Sequence, residues 1–145
     1  MNLLSLLLIG VLAGCASVPM ASLEKDAAAK TYAVKPDKAN IYVYRNENFG
    51  AAIKMPVAID GRLVGDTAAK TYLKVEVAPG NHTVTSKTEN DASVSLQTTA
   101  GKNYFVWQEV KMGMWSARSQ LHQVDEATGK AGVDECKLVE GSGPQ

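Results

Sequence analysis

The sequence is poor in the residue types and patterns that announce chemistry. It has two cysteines, Cys15 and Cys136, and because Cys15 lies in an apolar leader, no disulfide framework can be built inside a domain. Its two histidines, His82 and His122, fall on different predicted strands, so a metal site would need them to converge with a carboxylate such as Glu109 or Asp125. There is no Gly-x-Ser-x-Gly, His-Glu-x-x-His, Cys-x-x-Cys, Gly-x-Gly-x-x-Gly or phosphate-cradling Gly-Lys-Ser/Thr. Neither sign of charge dominates: 15 Lys+Arg balance 15 Asp+Glu, and the pI of ≈ 6.7 gives no electrostatic case for nucleic acid. No apolar run reaches the roughly 20 residues of a spanning helix.

What is present begins with the leader. From Leu3 to Ala13 the chain carries only Leu, Ile, Val, Ala, Gly and one Ser. A run of that length, closed by small residues, fits a secretory h-region and its cleavage site. Leu12-Ala13-Gly14-Cys15 resembles the lipobox of bacterial lipoproteins. The resemblance implies cleavage between Gly14 and Cys15 and a diacylglycerol on the Cys15 thiol, giving residues 1–14 as signal peptide and a membrane anchor thereafter. Several acyl chains at about 0.8 kcal/mol per buried methylene would make release negligible. Ala16 and Ser17 follow, rather than Asp, which by the same resemblance directs the protein to the outer membrane, facing the periplasm. Met1-Asn2 supplies no Lys or Arg, a departure from the usual n-region.

Residues 15–38 read as the lipidated N-terminus and a tether. Leu23 to Lys30 could form a turn or two of helix without a broad apolar face, marginal in isolation. The segment is either a spacer or a frayed terminus. Residues 39–139 then read as one domain of about eight short strands, with Gly, Pro, Asn or Asp at nearly every junction. Ile41-Tyr42-Val43-Tyr44-Arg45 puts large side chains on both faces. Val57-Ala58-Ile59-Asp60-Gly61 ends in the strongest short-range hairpin signal, which assigns Asp60 to the turn rather than to acid catalysis. Ala78-Pro79-Gly80-Asn81 and Ala100-Gly101-Lys102-Asn103 turn the chain again. Tyr104 to Met112 is the most aromatic strand and is expected to lie centrally. Asp125 to Gly132 suggests a helical turn or loop, and Val133 to Leu138 a last weak strand. Residues 140–145 read as a disordered tail. The fold class expected is an all-β antiparallel sandwich.

The lipobox, the strand from Ile41, the Asp60-Gly61 hairpin, Val77-Ala78-Pro79-Gly80-Asn81-His82 and Ala100-Gly101-Lys102-Asn103-Tyr104-Phe105 together resemble bacterial lipoproteins carrying the domain of unknown function numbered 2846. The resemblance spans residues 38 to 139. It implies a β-sandwich and an envelope address, and brings no assigned activity.

Candidate functional residues remain few. Trp107, Glu109 and Lys111 share one face of the aromatic strand, opposite Tyr104, Val106 and Val110. If that face is exposed, Trp107 with its flanking charges forms a binding patch for an envelope protein, peptide or glycan; otherwise Trp107 fills the sandwich core. Met112-Gly113-Met114-Trp115, with Arg118 behind it and Phe49 in another loop, offers an exposed turn bearing Trp115. Cys136 is a buried thiol or the site of an intermolecular disulfide, and Asp134-Glu135 beside it disfavour a thiolate. A membrane-anchored binding module without cofactor is therefore expected. The alternatives are an assembly subunit pairing through an edge strand or Cys136, and, less favoured, a hydrolytic or metal-dependent enzyme.

Overall fold

A computed structural model describes residues 18–48, 53–112 and 117–141. Nine strands and two helices follow one another in the order α1 (Leu23–Ala29), β1 (Ala39–Arg45), β2 (Met55–Ile59), β3 (Arg62–Thr67), β4 (Thr71–Val77), β5 (Gly80–Ser86), β6 (Ala92–Thr98), β7 (Asn103–Met112), β8 (Ala117–Val124), α2 (Glu126–Asp134) and β9 (Lys137–Leu138). They form a five-stranded sheet, ordered β8-β7-β1-β4-β9, packed against a four-stranded sheet, ordered β3-β2-β5-β6. The expected β-sandwich is thus the fold. Its smaller sheet is wholly antiparallel, whereas in the larger one β1 runs parallel to β7 and β4 parallel to β9. Among the described residues no helix is long and apolar enough to cross a membrane.

The central strand is β1, not the aromatic β7. All seven β1 residues are buried, and their alternation explains why. Ile41 and Val43 point into the sandwich with Val57, Ile59, Leu73, Val84, Leu96, Val106 and Leu121; Tyr42 and Tyr44 point the other way with Tyr72, Phe105 and Val133. A strand covered on both faces needs apolar bulk at every position, and this one has it. On the outer face Tyr42 and Phe105 stack with centroids 5.1 Å apart. The β2–β3 turn takes the expected form: Asp60 and Gly61 have φ of 52° and 81°, the two positive values of a type I′ hairpin.

Two expectations are corrected on that outer face, where both helices pack. First, residues from Val18 onward are not a free tether. Val18 is buried in the sandwich core, Met20 forms an antiparallel bridge with Val139, and α1 lies on the sheet through its buried Asp26 and Ala29. Ser22 caps α1 by accepting from Lys25 N, and the Asp26 carboxylate accepts from the Tyr72 hydroxyl at 2.8 Å and from Leu138 N at 3.1 Å. A helix without a broad apolar stripe is held instead by one buried carboxylate.

Second, Val133 and Asp134 close a helix rather than open a strand. Asp125 caps α2, accepting from Thr128 N at 2.7 Å. Gly129 and Gly132, which look like breakers in the sequence, are contact points: a Cβ at Gly129 would collide with the Phe105 ring and one at Gly132 with the Tyr44 ring. The final strand shrinks to Lys137–Leu138. Cys136 sits just before it, buried beneath α2.

Candidate functional site

Within the long hairpin formed by β7 and β8 the pairing places Trp107 opposite His122, Glu109 opposite Gln120 and Lys111 opposite Arg118. All face away from the sandwich interior, since Val106 and Leu121 on the alternate positions face into it. Trp107 therefore neither fills the core nor stands free. It is half-buried and stacked on His122, with ring centroids 5.0 Å apart and planes 27° from parallel. Glu109 Oε1 lies 3.1 Å from Lys111 Nζ and 3.7 Å from His122 Nε2, the second distance too long for a hydrogen bond. Lys111 and Arg118 are exposed and directly across from each other, and the Glu109 carboxylate paired with Lys111 offsets part of their repulsion.

Among the described residues Trp107 Nε1, His122 Nε2 and Glu47 Oε2 are buried side-chain atoms without a hydrogen-bond partner. An unpaired buried donor or acceptor costs about 1–3 kcal/mol, and two in one stack is unusual. Of the residues expected in a patch, the structure brings together Trp107, Glu109, Lys111 and Arg118; Phe49, Met114 and Trp115 lie outside the described residues, as do Gly14 and Cys15. His122 is the member that strand-by-strand reading missed. The pairing of Met112 with Ala117 sets the register that puts Trp107 opposite His122.

The polar interior near the same end of the sheet is structural, with Glu47 Oε2 left without a hydrogen-bond partner among the described residues. Arg45, fully buried on the inward face of β1, donates to Ile53 O at 2.8 Å, to Thr67 O at 3.2 Å and to Glu47 Oε1 at 3.2 Å. Gln108 donates to Ser86 Oγ at 2.6 Å and accepts from Thr67 Oγ1 at 2.6 Å, and Ser119 adds a bond to Ser86 at 2.7 Å. These bonds tie the two sheets together across the core.

The remaining chemistry-bearing side chains are placed apart. His82 and His122 sit in different sheets, and among the described residues no group of three or more His, Cys, Asp or Glu is arranged to hold a metal. Asp125 is engaged as a helix cap. Cys136 Sγ lies 3.3 Å from both Arg45 O and Gly132 O, and burial pushes its thiol up to about 12, with Glu135 and Glu47 adding to the effect against Lys70 and Lys30. Such a thiol is poorly suited to nucleophilic work or to reaching a second molecule.

His82 has found a different partner. Its Nδ1 is 2.6 Å from Asp60 Oδ2 and its Nε2 2.6 Å from Ala78 O. Both acceptors need a proton from the ring, which is met only by the imidazolium. Burial opposes that charge, but the bonds to Asp60 and Ala78 and the Asp60 charge overcome it, so the His82 pKa is raised. The pair borders a groove of ≈ 380 Å³ that Arg62, Val64 and Glu76 also line.

The family model described as "Protein of unknown function (DUF2846)" matches residues 35–120. A protein of Haemophilus influenzae (strain ATCC 51907 / DSM 11121 / KW20 / Rd) described as "Uncharacterized protein" is 33% identical over 132 residues, covering 89% of this chain and 78% of its own length. No solved structure matches the chain.

Proposed function

The chain belongs to the DUF2846 family of proteins of unknown function, and from that premise we propose that it is a lipid-anchored binding module of the bacterial cell envelope, facing the periplasm from the outer membrane. The anchor is Cys15, supported by the apolar run from Leu3 to Ala13 and by Leu12-Ala13-Gly14-Cys15. The module works by recognition rather than catalysis, through the outward face of β7 and β8.

One observation carries the binding reading: two ring nitrogens, on Trp107 and His122, buried without a hydrogen-bond partner among the described residues, beside the exposed cations Lys111 and Arg118. A carboxylate or phosphate would pair with Arg118 and compete with Glu109 for Lys111. Once a shift of the Trp107–His122 stack uncovers the ring nitrogens, a backbone or hydroxyl group of the same partner would satisfy them, Trp107 as donor and His122 in either role. A peptide segment with an acidic side chain meets both requirements. A second reading is favoured by topology. β8 is the edge of its sheet, so a partner strand could add there.

Intact-mass measurement of the mature wild-type chain tests the anchor: a product starting at Cys15 with added lipid is expected, and a chain without lipid would overturn it. A photo-reactive residue at position 111, compared with one at Leu63 on the edge strand β3, tests the patch. A crosslink to one envelope component at 111, absent at 63 and lost in Arg118→Glu, is expected. Equal capture from both positions would remove the β7–β8 face from consideration.

A further inference from the structure

The number of residues between Cys15 and the folded domain limits how far the domain could stand from a lipid on Cys15. Val18 is buried in the core, and Met20 is bridged to Val139, with Glu140 N donating to Pro19 O at 2.9 Å and Ala21 N to Leu138 O at 3.0 Å. Only Ala16 and Ser17 stand between Cys15 and Val18. Fully extended, three residue steps cover about 10–11 Å. A lipidated Cys15 therefore leaves the domain no room to stand away from the bilayer.

Direction follows from register. β9 runs parallel to β4, and the Met20 bridge to Val139 is antiparallel. Going back from Met20, the chain accordingly heads toward the C-terminal end of β4, where Val77 pairs with Ala39 at the start of β1. At that end the turns cluster: Gly101 N donates to Lys38 O at 2.7 Å and Asn40 N to Lys102 O at 3.1 Å, and His82 joins the Asp60-Gly61 turn to Ala78. The turns carry Lys35, Lys38, Arg62 and Lys102. Of the carboxylates there, Glu76 is paired with Lys35 at 3.3 Å, Asp60 is taken by His82, Asp125 caps α2, Glu126 is paired with Lys130 at 2.8 Å, and Asp37 is exposed. Arg62 and Lys102 are exposed.

We propose that the turn end formed by residues 35–38, 60–62, 78–80 and 99–102 lies against phospholipid headgroups, with Arg62 and Lys102 facing lipid phosphates. This inference rests on the lipidation of Cys15. It also points the opposite end of the sheet, with Lys111, Met112 and Arg118, into the periplasm. The short link holds the domain in one orientation, so the face offered to partners is fixed rather than sampled.

The test uses full-length lipidated protein in phosphatidylethanolamine and phosphatidylglycerol vesicles containing headgroup-nitroxide lipid. A fluorophore is placed on Lys102→Cys or Met112→Cys, Cys136 being buried and Cys15 modified. Quenching several-fold stronger at 102 than at 112 is expected. Inserting a Gly/Ser segment of roughly ten residues between Ser17 and Val18, which adds an r.m.s. reach of about 17 Å, should abolish that difference while the protein stays vesicle-bound. Equal quenching at both positions in a chain whose mass includes the lipid would overturn the orientation alone. A chain whose mass lacks lipid would overturn the anchor, and the orientation with it.

Discussion

Asp26, on a helix that the sequence barely announces, accepts a hydrogen bond from the hydroxyl of Tyr72 in the five-stranded sheet at 2.8 Å. Lys30, one helical turn on, adds an ion pair at 3.2 Å and extends to Cys136 O at 2.6 Å. Burial alone would raise the Asp26 pKa, but the bonds from Tyr72, Lys30 and Leu138 N, with the Lys30 charge, bring it below its usual 3.8. The carboxylate is thus both the fastening of α1 and an acid-sensitive one.

Asp26→Ala should destabilise the domain by about 1.5–3 kcal/mol, because a charged acceptor for Tyr72 and Leu138 N is lost and the Tyr72 hydroxyl keeps only its long 3.4 Å bond to the residue 26 carbonyl. Chemical denaturation reads the loss, and faster amide exchange at Ala29 and Lys30 locates it. In wild type the Asp26 contribution is fully present above the ordinary carboxylate value and disappears as pH falls through the lowered one. The acid limb of the stability profile should flatten in Asp26→Ala.

Gly129→Ala and Gly132→Ala should each destabilise by about 1–3 kcal/mol, although Ala favours a helix over Gly by about 0.8–1.0 kcal/mol. The added methyl meets a packed aromatic ring in both cases. Thermal melts decide the sign: a stabilised variant would mean that α2 does not lie on Phe105 and Tyr44.

The His82 imidazolium should titrate above its ordinary 6.5, and NMR of the ring protons measures the midpoint. A raised folded value means that its stabilisation is complete below 6.5 and is lost as pH rises through the folded midpoint. Asp60→Asn should move the midpoint down and remove that basic-side loss. The Asp60 side chain is 49% exposed, so the effect on stability should stay below about 1 kcal/mol.

Cys136 should resist alkylation in the folded protein at neutral pH and react fully once unfolded. Burial and a thiol raised to about 12 both keep the thiolate population low. Rapid native labelling would contradict the packing of α2 over the sheet.

The strands and most turns were legible because their signals are local. Asp60-Gly61 dictates its own hairpin, and Ile41 to Arg45 advertises two buried faces within one strand. The helices were legible only as short helical turns around Leu23 to Lys30 and Asp125 to Gly132, and their docking was not, because what holds them is distant. Asp26 reads as a solvated charge until Tyr72 is known to lie beneath it; Gly129 and Gly132 read as breakers until Phe105 and Tyr44 are. The same holds for the candidate site. Trp107, Glu109 and Lys111 could be assigned to one face by alternation, but His122 joins them only through the hairpin pairing, and the choice between core and surface for Trp107 omitted a third layer of helices.

The bridge between Met20 and Val139 joins residues from nearly opposite ends of the chain. During synthesis the edge of the larger sheet beyond β4 cannot be completed before residues 137–140 emerge, so the segment around Met20 gains these partners only when the chain is nearly complete.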